Sequence, residues 1–185
     1  MDTITRQDRI TLKNLKVADF ASEETLCFTA TVMFDGRPIA EARNDGHGGS
    51  TFVRALQGQA ALLAQAEEFA KSLPPASLDV EREDDEPLLI DMTLDFLVDQ
   101  VADAMHAERK LRTAFNRDIG NKVLFIKDGR LLFLKGIKLK AIADRAAYFA
   151  KLRSRQDQPI VILAELPADE AFAIWKQHVL GDKPR

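Results

Sequence analysis

An α+β fold is predicted by three features of this chain: strict two-residue alternation near the start, two Asp-Gly pairs between apolar runs, and later stretches whose apolar residues recur every three or four positions. Leu26, Phe28, Ala30, Val32 and Phe34 carry the alternation, and Thr25, Cys27, Thr29, Thr31 and Met33 fill the positions between them. A strand turns successive side chains to opposite faces, so the first set reads as buried and the second as half-exposed. Asp35-Gly36 and Asp128-Gly129 suit type I′ hairpin turns, which need positive φ at both central residues.

In chain order, Ile10 and Leu12 open an antiparallel meander that occupies the first 43 residues. Pro38 has no N–H to give a ladder, so the return strand is expected to be an edge at that point. A glycine-rich loop follows, Asn44-Asp45-Gly46-His47-Gly48-Gly49-Ser50. Phe52, Leu56, Ala60, Leu63 and Ala70, supported by Leu62, Ala66, Phe69 and Leu73, predict an amphipathic helix packed on the sheet. Pro74-Pro75 ends it, because proline clashes with a continuing helix.

The polar, acidic segment 76–86 reads as a surface loop, and Pro87 suits the first position of a helix. Ile90, Leu94, Leu97, Val101, Ala104, Leu111 and Phe115 predict that this helix is the longest, with Gly120 closing it. A second hairpin takes 123–126 and 131–134, apolar on both faces and therefore expected at the centre of a sheet. A basic helix over 139–153, a last buried strand over 160–163 and a closing helix over 167–179 with Trp175 complete the reading. The prediction is thus an N-terminal antiparallel β-meander packed by a helix, a long central amphipathic helix, a second β-hairpin, and two C-terminal helices with a short strand between. It forms a single domain over 1–185, with a subdivision into 1–75 (meander plus helix) and 76–185. Whether the two hairpins share a sheet is left open by the pattern.

With 185 residues, 46% hydrophobic and 30% charged, the chain is long and apolar enough to bury a core without metal or disulfide staples. Cys27 is the single cysteine, so no intrachain disulfide forms, which fits a reducing compartment. Residues 1–9 lack the apolar core of a secretion signal, and no window approaches the roughly 18 apolar residues of a membrane span. A cytoplasmic location with no membrane partner is the expectation.

Net charge is −3, but the signs are divided along the chain. Residues 76–106 hold ten acids against Arg82, whereas 109–155 hold fourteen bases against Asp118, Asp128 and Asp144. Within the acidic part, Asp91, Asp95, Asp99 and Asp103 recur every four residues, which would make them neighbours along one helix face. Such a row either is solvated, or pairs with the basic stretch, or imitates a row of phosphates and engages a basic groove on a protein partner. In the basic part, Lys135, Lys138, Lys140, Lys151, Arg153 and Arg155 offer a nucleic-acid surface by phosphate neutralisation, with Tyr148 and Phe149 nearby and Phe133 assigned to the core. The apolar stripe of the long helix would equally serve a homo-oligomer, and Trp175 either core or contact.

The glycine loop supports two readings. One is a tight strand-to-helix turn capped by Ser50 or Thr51. The other is a ligand site over Asn44, Asp45, Gly46, His47, Gly48, Gly49 and Ser50, in which backbone N–H groups at a helix N-terminus cradle a phosphate. Neither the Gly-Lys-Ser/Thr ending of a nucleoside-triphosphate loop nor the dinucleotide fingerprint is present. Asp45 and His47 are two metal donors where a catalytic site needs three, and His106 and His178 have no second donor one turn away. No metal, cofactor or catalytic residue is therefore assigned.

The run over 10–50, with Lys13-Asn14-Leu15-Lys16, Ala21-Ser22-Glu23-Glu24-Thr25 and Asn44-Asp45-Gly46-His47-Gly48-Gly49, resembles an uncharacterised group of small proteins found in bacteria, phages and plasmids. It covers roughly the first quarter of the chain. The resemblance implies a recurring module with a mobile-element setting and carries no activity with it. The order strand, Asp-Gly turn, strand, helix is also similar to part of a double-stranded RNA-binding domain. That family holds phosphates with lysines at the helix start, where this chain has Arg54 alone among residues 50–54.

The function expected from the sequence is a non-enzymatic interaction protein, a phage or mobile-element accessory or counter-defence factor acting through the acidic helix face. The alternatives are an enzyme or binding domain for a phosphate-bearing ligand at 44–50, and a nucleic-acid binder through 135–155.

Overall fold

The computed structural model describes residues 7–78 and 88–181. Four strands, β1 (Ile10–Val17), β2 (Phe28–Phe34), β3 (Arg37–Asn44) and β4 (Phe52–Ala55), form one antiparallel sheet in chain order. Phe28, Ala30, Val32 and Phe34 are buried on its inner face, as the alternation requires. Asp35 and Gly36 take φ of 48° and 75°, and Asp128 and Gly129 take 51° and 70°, so both Asp-Gly pairs make the turns their chemistry favours.

Two register shifts shape this sheet. Asn14 adopts φ 53°, and the pairing jumps from Lys13–Thr31 to Lys16–Thr29, leaving one extra residue on β1. This bulge turns Leu15 inward and returns Lys16 to the outer face. On β3 the pairing passes from Ala40–Val32 to Pro38–Met33, so Ile39 and Ala40 are both buried. β4 pairs only with Ala40 to Arg43, which leaves Pro38 at an open edge, as its missing N–H demands.

The helix expected from Phe52 starts later. Residues 52–55 form β4, and α1 runs over Ala60–Lys71. The four-residue spacing of Phe52, Leu56 and Ala60 imitates a helical stripe, but ladder bonds to β3 win, and Phe52 stands 77% exposed. α1 ends before Pro74-Pro75, with Ser72 capping.

The acidic segment is also more ordered than a loop at its ends. β5 (Ala76–Leu78) pairs antiparallel with β6 (Leu88–Ile90). Ile90 therefore belongs to a strand, and α2 covers Leu94–Asn121, starting where the Thr93 carbonyl accepts the Leu97 N–H. Residues 79–87, including Pro87, lie outside the described residues. Gly120 falls inside the last turn of α2 instead of after it.

The chain divides into two compact units, Met1–Ala107 and Glu108–Arg185. The division lies within α2, further along than the 75/76 subdivision expected from the sequence, because Ala76, Met92, Leu94, Leu97, Val98 and Ala102 all join the core under the meander. In this first unit, α1 and the early turns of α2 cover the inner face of the sheet.

The second unit has its own sheet, so the two hairpins do not share one. β7 (Leu124–Lys127) lies between β8 (Arg130–Phe133) and β9 (Val161–Ile162). β7 is central: Phe125 joins a cluster with Phe149 and Leu152, while Leu124 joins the opposite one with Phe115, Phe172 and Trp175. β8 is an edge, contrary to the reading of both strands as central, and Phe133 is exposed and not a core residue. The Lys122 ammonium lies 5.3 Å from its ring centroid. The expected basic helix is shorter, because a 3-10 turn over Leu139–Ala141 precedes α3 (Arg145–Ser154), whose first turn is capped by the Asp144 carboxylate accepting the Ala147 N–H. α4 (Ala168–Gly181) closes the unit and buries Trp175.

Phe115 sits at the centre of this second core, with ring centroids 5.4 Å from Phe172 and 5.7 Å from Trp175. Phe115→Ala should cost about 3–5 kcal/mol through lost contacts and the cavity left behind. Urea unfolding followed by the fluorescence of Trp175, the single tryptophan, should show a lower midpoint and red-shifted native emission.

Candidate functional site

A buried polar network shapes the first unit beside the sheet. Asn44, at the end of β3, is 4% exposed, and so is Thr51 just before β4. The Asn44 side-chain carbonyl accepts from the Thr25 hydroxyl at 2.8 Å and from the Gly46 N–H at 2.9 Å. Its amide donates to the Thr51 hydroxyl at 3.0 Å, and Thr51 in turn donates to the Asp99 carboxylate on α2. Every member has a partner, so burial is compensated.

The Gly46 carbonyl extends the network by accepting the N–H groups of Glu23 (3.0 Å), Glu24 (2.9 Å) and Thr25 (3.3 Å). Gly46 has φ 89°, and a β-carbon there would lie 2.0 Å from the Ala21 carbonyl oxygen. Only glycine fits. The loop's glycines thus serve a close backbone approach that fixes the 22–26 segment, and the loop leads into a strand. The expectation that the loop opens a helix is corrected accordingly: it leads into β4, and Ser50 and Thr51 cap no helix.

What the network builds is a wall. Ser22, Glu23, Glu24, Thr25 and Leu26, with Gly49 and Ser50, line one side of a cleft of about 710 Å³, and Ile90, Asp91, Thr93, Asp95, Phe96, Asp99 and Asp103 line the rest. The structure therefore brings together the two features that the sequence shows separately, the glycine loop and the aspartate row. Six carboxylates line the cleft, and among its described lining residues none is basic. Asp91 precedes α2, so the row along the helix itself is Asp95, Asp99 and Asp103.

These acids differ in setting. Asp91 and Asp103 are exposed, whereas Asp95 and Asp99 are half-buried. Burial pushes the Asp99 carboxyl up to about 6; the Thr51 hydrogen bond opposes this, and repulsion from Asp103 and Asp95 adds to it. Of the loop residues, Asn44 and Gly46 are structural, and Gly49 and Ser50 line the cleft. Asp45 and His47 do not line it. The His47 ring lies 3.4 Å from Glu23 on the surface, and no bond joins His47 to Ser50 or Asp45. Among the described residues, no three His, Cys, Asp or Glu side chains converge as a metal site.

In the second unit Lys138 and Lys151 line a 530 Å³ groove with Ile137, Ala141, Ile142 and Tyr148, and Lys135, Lys140 and Arg155 are exposed. Arg153 is held by Glu165, Lys127 by Asp157 and Arg112 by Asp169, all within the same unit. Of the six bases read as a nucleic-acid surface, Lys138 and Lys151 line this groove and Arg153 is paired with Glu165. Comparison with known proteins finds no matching family model, curated protein or solved structure. The site stands on its own chemistry.

Glu23 and Glu24 join the aspartates only through the fold, although adjacent acids before an alternating run are a visible signal. His106 pairs with Asp19 at 3.0 Å, a partner 87 residues away that no local spacing reveals.

Two outcomes follow from this geometry. Gly46→Ala should destabilise the protein by more than about 1 kcal/mol, since alanine is strained at positive φ and meets backbone here, and thermal unfolding by circular dichroism would register it. Asp99 has a folded pKa above its ordinary 3.8, so its contribution to stability is full below that value and is lost as pH rises through about 6. Asp99→Asn keeps an acceptor for Thr51 and should melt higher than wild type at pH 7.5, with the gap closing toward pH 4.

Proposed function

We propose that this chain is a non-enzymatic interaction protein whose acidic cleft receives a protruding basic segment of a partner protein. The observation that carries this reading is the convergence of Glu23, Glu24, Asp91, Asp95, Asp99 and Asp103 around one concavity. Carboxylates grouped in a cleft focus their field and speed the approach of a cation. Because the acids line a hollow and not a ridge, the partner presents a lysine- or arginine-rich segment that enters it.

Apolar contacts support a polypeptide over a small cation. Leu26, Ile90 and Phe96 line the cleft together with the acids. Phe20, two residues before its wall, is 93% exposed, and Leu89, next to Ile90, is 63% exposed. Aromatic and aliphatic anchors beside a charged centre are the usual source of affinity in protein interfaces. The resemblance to phage and plasmid proteins supports an accessory or counter-defence role against a host macromolecule, with the cleft engaging a basic segment that otherwise contacts nucleic acid.

A fluorescein-labelled arginine-rich peptide titrated against the full chain tests this. Asp91, Asp95 and Asp103 changed together to Asn should weaken binding roughly 3- to 150-fold at low salt, from three charge pairs of about 0.2–1 kcal/mol each. Wild-type affinity should fall as salt rises, and that of the variant should fall less steeply. Equal binding by both proteins would sink the reading.

A further inference from the structure

The outer face of the four-stranded sheet has a charge opposite to that of the cleft. Cross-strand pairing sets Lys16, Thr29, Arg43 and Phe52 in one row and Lys13, Thr31, Glu41 and Arg54 in the next. Residues opposite each other on paired strands point to the same face, and neighbouring strands lie about 4.8 Å apart. Four cations and one carboxylate therefore lie on β1, β3 and β4, with the Thr29 and Thr31 hydroxyls of β2 between them. Lys13, Lys16, Arg43 and Arg54 are exposed, and no ion pair among the described residues engages any of them. Phe52, at the β4 edge, is 77% exposed on the same face.

We propose that this sheet face binds single-stranded RNA. Lys13, Lys16, Arg43 and Arg54 complement a phosphate backbone running across the strands, and Phe52 gives one base a ring to stack on. A stacked base must be free of a duplex, which selects a single strand. Glu41 lies in the middle of the field and cannot face a phosphate. It can accept a hydrogen bond from a ribose 2′-hydroxyl, as the Thr29 and Thr31 hydroxyls also can, and this group distinguishes RNA from DNA. The surface uses no residue of the 135–155 stretch or of the acidic cleft.

The test is fluorescence anisotropy of a labelled 12-nucleotide mixed-sequence RNA with the full chain, from 50 to 200 mM salt. Four phosphate contacts predict a slope of log affinity against log salt near −2.8, at about −0.7 per contact. Changing Lys13, Lys16, Arg43 and Arg54 together to Gln should abolish binding. Phe52→Ala should weaken it about tenfold with the slope unchanged, and Phe52→Trp should retain affinity and show fluorescence quenching on RNA addition. Circular dichroism melts at wild-type temperature show that the surface variants fold. The Asp91, Asp95, Asp103 variant should bind RNA at least as well as wild type, which separates this surface from the cleft. The proposal is overturned if RNA does not bind at 50 mM salt, or if the Gln variant binds normally. Equal affinity for single-stranded DNA or duplex RNA of the same sequence, or binding only to anionic phospholipid vesicles, overturns it as well.

Discussion

The Asn44 side chain is the point on which the first unit's surface chemistry depends. Its carbonyl and amide hold Thr25, Gly46, Gly49 and Thr51, and through Thr51 they reach Asp99. Buried polar groups contribute little net stability when paired but cost heavily when left unpaired. A network of this kind therefore acts less as a source of stability than as a selector of one arrangement. Any alternative placement of the loop would strand several donors and acceptors at once. The wall that carries Glu23 and Glu24 is fixed by the same requirement, since their backbone N–H groups end on the Gly46 carbonyl.

Charge is handled differently in the two units. The second unit stays net basic but pairs several of its cations within itself: Arg112 pairs with Asp169 while stacking 4.0 Å over Phe172, Lys122 pairs with Asp118, and Lys127 with Asp157. Exposed pairs of this sort add little to stability, but they remove free charge from the surface. In the first unit the charges are instead sorted by face, with acids around the cleft and bases on the outer sheet. Burial, with repulsion from Asp103 and Asp95 added, raises the Asp99 pKa, so its charged form works against folding. A surface that tolerates such a cost has its charge arrangement set by something other than stability.

Much of the fold was legible where the signal is local. Asp35-Gly36 and Asp128-Gly129 define their turns by backbone preference alone, and the Leu26 to Phe34 alternation needs only a solvent side and a core side. The misreadings share one cause. Phe52, Leu56 and Ile90 have helical spacing, yet their conformation is decided by partners far along the chain: β3 for Phe52, β5 for Ile90. Phe133 looks like core because apolar residues flank it, but β8 has no strand on its far side. The site was visible only in pieces. The aspartate row and the glycine loop each stood out, while their meeting is a tertiary fact. The bases of the outer sheet were hidden differently: Lys13, Lys16, Arg43 and Arg54 lie on three separate strands, and only the ladder pairing brings them to one face.

The bulge at Asn14 has a consequence for how this chain can change in length. Three steps along β1, from Lys13 to Lys16, are matched by two along β2, from Thr31 to Thr29, so the strand carries one residue more than its ladder consumes. Loss of Asn14 would leave Leu15 facing the core and Lys16 facing solvent, because the parity of the strand is already corrected around it. Replacement of Asn14 by valine or isoleucine would keep the length but force a branched side chain into a left-handed backbone. At this position a deletion is the smaller perturbation and a substitution the larger one, the reverse of the rule for a residue inside a regular strand.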